Sequence, residues 1–174
     1  IQPKNARDER HLRVKINIGK YDLRFIDQRT FGWLGVDETQ NGLPTYVKDI
    51  AADPFDPEFN LDETIERFRK KKTEIKRALL DQGVMSGVGN IYADEALWRS
   101  KMHPESRTET MKAVRVKELI ENATLVMSEA LAVGGTSFDD LYINVNGESG
   151  YFERSLAVYG QEGEGCPRCG REIR

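Results

Sequence analysis

Hydrophobic and polar residues alternate through "HLRVKINI", residues 11–18, with Leu12, Val14, Ile16 and Ile18 on one side. After Gly19 and Lys20 the alternation resumes in "YDLRFID", where Leu23 and Phe25 share a face. A period of two on either side of a glycine-containing turn predicts a β-hairpin with one buried face. "FGWLGV", residues 31–36, is expected to extend the sheet. Residues 36–60 hold Pro44, Pro54 and Pro57 among turn formers. They read as a linker between a small β portion and a helical portion.

From Asn60 the period becomes helical. "NLDETIERFRKK" has a capping residue, acids in its first turn, and Ile65 and Phe68 three apart. "TEIKRALLDQ" puts Ile75, Leu79 and Leu80 on one stripe, and "NIYADEALWRS" spaces Ile91, Glu95 and Trp98 for a short helix with Asn90 as its N-cap. "TETMKAVRVKELIENATLVMSEALAVGG" predicts a long amphipathic helix closed by Gly134 and Gly135. Its stripe of Val116, Leu119, Ile120, Ala123 and Val126 is assigned to the core. "TSFDDLYINVNGESGYFERSLAVYG" mixes turn residues with aromatics, and its last part reads as an extended strand.

Between the second and third helices lies "DQGVMSGVGN", an interruption rich in small residues. Seven of the eleven residues before it, "RFRKKKTEIKR" (67–77), are Lys or Arg. Such a run is ordinarily a solvated helix face. Here Lys72 and Lys76 fall four apart on a helix leading into the interruption. Gly87 and Gly89 allow backbone to come close to a ligand. The amides at the start of the restarted helix then form a site suited to phosphate. Helix, two tight turns, helix, with basic residues upstream, is a way to grip a nucleic-acid backbone without reading sequence. The competing reading is an αα-corner whose glycines serve close packing.

Composition adds limits. The 174 residues are 39% hydrophobic and 32% charged, as in an ordinary globular protein, and no apolar run reaches membrane-span length. A net charge of −3 gives no global basic signature, so any nucleic-acid site must be a local patch. The only cysteines, Cys166 and Cys169, form a C-x-x-C near the end of the chain. That spacing supplies half of a tetrahedral zinc site. A reduced pair without metal is the alternative.

"GVGNIYADEALW" followed by "HPES" resembles the helix–two-turn–helix signature of the formamidopyrimidine-DNA glycosylase (MutM) family of bacterial base-excision enzymes. "DQRTFGW", "KKKTEIK" and "GYFERSLAVYGQEGEGCPRCG" resemble further segments of that family in the same order. The implied fold is α+β. Residues 1–52 would be the tail of a catalytic β-sandwich domain. Residues 53–150 would be the helix–two-turn–helix domain, with a lesion-recognition loop at 136–150, and residues 151–174 the start of a truncated zinc-finger hairpin.

The resemblance also implies roles. Arg29 and Phe31 would enter the base stack where the damaged nucleotide is everted, and would read the orphaned cytosine. Thr30 departs from the family's second Arg. His11 and Lys71 would contact DNA, although the family's His-x-His is "HLR" here, with Arg13 in second place. Lys76 would lie near the lesion and its phosphate. Asn90 would hold the phosphate beside the flipped nucleotide, and Tyr159 would add a backbone contact. Cys166 and Cys169 would ligate the single zinc of the complete finger, which this chain is expected not to bind alone. The implied partner is double-stranded DNA containing a damaged purine, and the implied setting is the bacterial cytoplasm, with the protein monomeric.

The family's reaction uses an N-terminal proline amine that attacks the sugar C1′, followed by β,δ-elimination. Pro3 has its nitrogen in a peptide bond, and no Pro-Glu start or catalytic Lys is present. The chain is therefore expected to be a fragment without activity of its own, from an enzyme that excises 8-oxoguanine and formamidopyrimidines. Two other readings stay open. One is a non-catalytic helix–two-turn–helix module, and the other an endonuclease VIII-like glycosylase for oxidised pyrimidines.

Overall fold

The computed structural model describes residues 1–40, 42–135 and 152–174, apart from the side chains at 153 and 154. The loop assigned to lesion recognition, 136–150, lies outside the described residues. The chain divides into two compact units, Ile1–Lys48 and Asp49–Arg174. Among the described residues, no helix is long and apolar enough to cross a membrane.

The first unit is built on a three-stranded antiparallel sheet. Strands β1 (Gln2–Pro3), β2 (Leu12–Ile18) and β3 (Tyr21–Ile26) lie in the order β1-β3-β2, and Gly19 takes φ 81° in the turn. Val14 pairs with Phe25, Ile16 with Leu23 and Ile18 with Tyr21, so the apolar residues of both strands share one face. That face is open: Val14, Ile16, Ile18, Tyr21 and Leu23 are 36–51% exposed. The buried face is the polar one, with Asp22 and Arg24 beneath the N-terminal segment. The Arg24 guanidinium donates to the carbonyls of Ala6 (2.7 Å) and Arg7 (2.8 Å) and to the Glu9 carboxylate (3.0 Å). The hairpin forms as expected, but with the opposite face covered.

"FGWLGV" does not extend this sheet. The Asp27 carboxylate accepts from the backbone N–H groups of Arg29 (3.1 Å), Thr30 (2.8 Å) and Gly32 (2.7 Å). A side chain thus takes the amides that a strand would offer to a neighbour. A short pair, β4 (Thr39–Gln40) and β5 (Leu43–Pro44), and a 3₁₀ turn at Thr45–Val47 complete the unit.

The second unit holds α1 (Leu61–Lys70), α2 (Ile75–Leu80), α3 (Asn90–Arg99) and α4 (Ala113–Ala132), with 3₁₀ turns at Thr108–Thr110 and Phe152–Ser155. Asn60 caps α1 by accepting from the Glu63 N–H at 3.1 Å. Phe68, Ile75, Leu79, Met85, Leu119 and Ile120 form the centre of one core, each at most 1% exposed. The long helix ends in a Schellman motif: the Gly135 N–H bonds the Ala130 carbonyl (2.8 Å) and the Gly134 N–H that of Leu131 (3.2 Å). Both glycines have positive φ.

The basic run is not one helix. α1 stops at Lys70, and residues 71–74 pair with the segment before α4. Ile75 N–H donates to the Ser106 carbonyl (2.8 Å) and Thr108 N–H to the Thr73 carbonyl (3.0 Å). Lys72 and Lys76 therefore do not share a helix face. The strand expected near Tyr159 is absent as well. Residues 156–160 form no ladder, and the amides of Ala157, Val158 and Tyr159 are held by a side chain of α3.

Candidate nucleic-acid interface

The interruption between α2 and α3 folds over its own side chains. Val84, Met85 and Val88 are buried and anchor it to the core. Gln82 braces it from within: its carbonyl oxygen accepts from Gly87 N–H (2.9 Å), and its amide donates to the carbonyls of Leu80 (3.0 Å) and Val88 (3.1 Å). Asp81 accepts from the Gly83 N–H at 2.9 Å.

The two glycines that end this turn differ in kind. Gly87 sits at φ 86°, and a Cβ there would lie 2.9 Å from the Met127 methyl. The fold itself requires it. Gly89 has ordinary extended angles, φ −102° and ψ 179°, and a Cβ there would meet nothing within 4 Å. Among the described residues nothing requires a glycine at 89. The missing side chain instead leaves clear space in front of the first turn of α3.

Gly89, not Asn90, occupies the N-cap position, and Asn90 is the first helical residue. The cap lies one residue earlier than expected because both positions belong to a run of helix breakers. Among the described residues no side chain caps α3, and its first turn carries no acid. α1 provides the contrast, with Asn60 on its end and Asp62 and Glu63 in its first turn. The positive end of α3 is thus open, with exposed Asn90 beside it.

Two of the expected lysines flank this turn. Lys76 Nζ lies 2.6 Å from Asp94 Oδ1, one turn into α3 from Asn90. Lys71 Nζ lies 2.6 Å from Asp81 Oδ2. The hydrogen bond from Lys71, assisted by the Gly83 amide, holds the Asp81 carboxyl below its ordinary pKa. Exposed ion pairs of this kind contribute about 0–1 kcal/mol, so their main effect is to place the ammonium groups. Elsewhere along the run Arg67 pairs with Glu63, Lys70 with Glu66 and Arg77 with Glu74.

The C-terminal segment is fastened to α3. Glu95, only 1% exposed, accepts from the N–H groups of Ala157 (2.9 and 3.0 Å), Val158 (2.8 Å) and Tyr159 (3.0 Å). One turn on, the Trp98 indole N–H donates to Cys166 Sγ at 3.5 Å, and Arg168 lies over the Trp98 ring at 4.1 Å. The Trp98 N–H, with the amides of Arg168 and Cys169, draws the Cys166 thiol down to a pKa of about 7. A thiol so disposed toward its thiolate suits a metal ligand. Among the described residues no group of three or more metal-binding side chains converges.

In the first unit the Arg29 guanidinium lies 5.0 Å from the centre of the Phe31 ring, and Phe31 is 78% exposed. The loop that presents them is tied to Asp27, and Thr30 adopts φ 55° there. His11 accepts the Asp27 N–H through its carbonyl at 3.0 Å, and Arg13 Nε donates to the Asp27 carbonyl at 2.9 Å. The structure therefore joins Lys71, Lys76 and Asn90 to one turn, Tyr159 and Cys166 to α3, and Arg29 to Phe31. Gln82, Asp27 and the role of Glu95 escaped the sequence reading. For Glu95 a signal existed: a carboxylate on an otherwise apolar helical stripe.

The paired helices and the glycine-led turn between them define a helix–two-turn–helix protein. Residues 50–141 match the family model described as the formamidopyrimidine-DNA glycosylase H2TH domain, and the chain belongs to that family. It is 54% identical to a formamidopyrimidine-DNA glycosylase of Nocardioides sp., over 100% of this chain and 60% of that relative. Among solved structures it resembles the MutM (Fpg) protein of Thermus thermophilus with a TM-score of 0.81 at 30% identity, covering 95% of this chain and 63% of that one. It also resembles Lactococcus lactis Fpg in complex with DNA containing an abasic site, with a TM-score of 0.78 at 30% identity, over 98% of this chain and 63% of that one. The chain spans about three fifths of the length of the curated relatives it matches.

Proposed function

We propose that this chain is the DNA-gripping and lesion-reading portion of a bifunctional DNA glycosylase/AP lyase that removes oxidised purines from double-stranded DNA. The observation that carries this reading is the open, uncapped start of α3. Gly89 leaves room there for a phosphate, with Asn90 beside it and Lys76 one turn away. Amides at a helix N-terminus together with an ammonium group grip a phosphodiester and position the duplex. Arg29 and Phe31 act as the wedge, His11, Lys71 and Tyr159 add contacts, and the setting is the bacterial cytoplasm. The open apolar face of the hairpin supports its assignment to one layer of a β-sandwich. Cys166 and Cys169 would supply two of the four ligands of a zinc finger.

The chemistry would require a free proline amine. Pro3 has its nitrogen in a peptide bond, so the 174-residue chain should hold DNA without cutting it. Borohydride trapping and a gel shift on a duplex with 8-oxoguanine opposite cytosine test both halves. The expected result is no covalent adduct and a salt-sensitive retarded band that Lys76→Ala or Asn90→Ala weakens. An adduct would refute the inactive assignment, and absence of a band would refute the grip.

The wedge has its own test. Phe31→Ala removes an exposed ring, so stability should change by no more than about 0.5 kcal/mol. Affinity for a duplex with an abasic gap should fall roughly 5- to 150-fold, since base–aromatic stacking contributes about 1–3 kcal/mol. Calorimetry and titration measure the two effects separately, and unchanged affinity would remove Phe31 from the site.

A further inference from the structure

We propose that Glu95 is a positioning residue that couples the phosphate site at the start of α3 to the DNA contact made by Tyr159. The proposal rests on the DNA-binding reading above and deepens it. Three consecutive backbone N–H groups, from Ala157 to Tyr159, converge on the one carboxylate. Successive amides turned to the same side form a concavity for an anion, and here the protein fills it with its own side chain. Glu95 is nearly fully buried. A carboxyl group buried this deeply needs hydrogen-bond donors for its oxygens, and the three amides supply them.

The placement gives this clamp its consequence. Asn90 and Glu95 are five residues apart on one helix, about 7.5 Å along its axis. α3 therefore presents its open end to a phosphate and, from its next turns, fixes the backbone that carries Tyr159. Trp98 repeats the attachment at Cys166. Two contacts far apart in sequence are thereby fastened to one rigid element.

The test is a double-mutant cycle of Glu95→Gln with Tyr159→Phe, read as affinity for a duplex containing 8-oxoguanine opposite cytosine. Gln keeps the shape of Glu95 but removes the charge and turns an NH₂ group toward the Ala157 N–H. Glu95→Gln should weaken binding roughly tenfold and reduce the salt slope by about one phosphate contact. Tyr159→Phe should then cost little more in the Glu95→Gln background, because the hydroxyl is already misplaced. A purely structural role for Glu95 gives additive losses, and that result overturns the proposal, as does unchanged binding in Glu95→Gln. Failure of the unaltered chain to bind DNA would instead overturn the underlying functional reading. Amide exchange on the unaltered chain gives an arm that no folding defect can spoil. The 157–159 amides should be protected to the level of those in α3, and exchange at loop rates would refute the clamp.

Discussion

Gly89→Asp should weaken DNA binding at least roughly tenfold while leaving the protein slightly more stable. The extended backbone at 89 is the conformation that an N-cap adopts, and an added Cβ meets no described atom within 4 Å. An aspartate there can accept from the N–H groups of Ile91 or Tyr92. Relative to glycine this gains a few tenths of a kcal/mol from the cap, and its charge at the helix end adds about 0.3–1 kcal/mol. The same carboxylate would occupy the amides proposed for phosphate and repel the anion. Charge-assisted hydrogen bonds contribute about 1.5–3 kcal/mol each, so losing one or two weakens binding roughly tenfold to more than a hundredfold. Melting temperature and duplex affinity should move in opposite directions. A variant that binds at full strength would place the phosphate elsewhere, and one that unfolds would show that Gly89 serves the fold after all.

Phe68→Ala should produce the largest loss of stability. Phe68 is fully buried between Arg67 and Arg69, so it turns the basic residues of α1 outward by occupying the core itself. Removing a buried phenyl ring costs about 3–5 kcal/mol. That is a large share of the roughly 5–15 kcal/mol typical of a domain. Urea denaturation should show a lower midpoint at unchanged slope. A loss below about 1 kcal/mol would mean that α1 is not packed against α4 through this ring.

The helices were readable because their signals are local. The stripe from Val116 to Val126, the Asn60 cap and the Gly134–Gly135 stop each lie within a turn or two of what they specify. What could not be read depends on distant partners. Alternation in the hairpin shows that it has two faces, but only the carbonyls of Ala6 and Arg7 decide that the polar one is covered. The break after Lys70 is set by Ser106 and Thr108, more than thirty residues on. The strand expected near Tyr159 failed because Glu95, some sixty residues earlier, takes its amides. At the candidate site, the basic run and the glycines pointed to the turn between α2 and α3, but the different duties of Gly87 and Gly89 emerge only from their neighbours.

The ion pairs of Lys71 and Lys76 bear on the thermodynamics of any exchange with a polyanion. Each ammonium already has a carboxylate partner, Asp81 or Asp94. When a phosphate takes over the ammonium, the aspartate loses its internal counter-charge and gathers solvent cations. Cations expelled from the nucleic acid are then partly recaptured by the protein. The dependence on ionic strength becomes shallower than a tally of basic side chains would give, and an acidic protein can use its lysines selectively without becoming a general trap for polyanions.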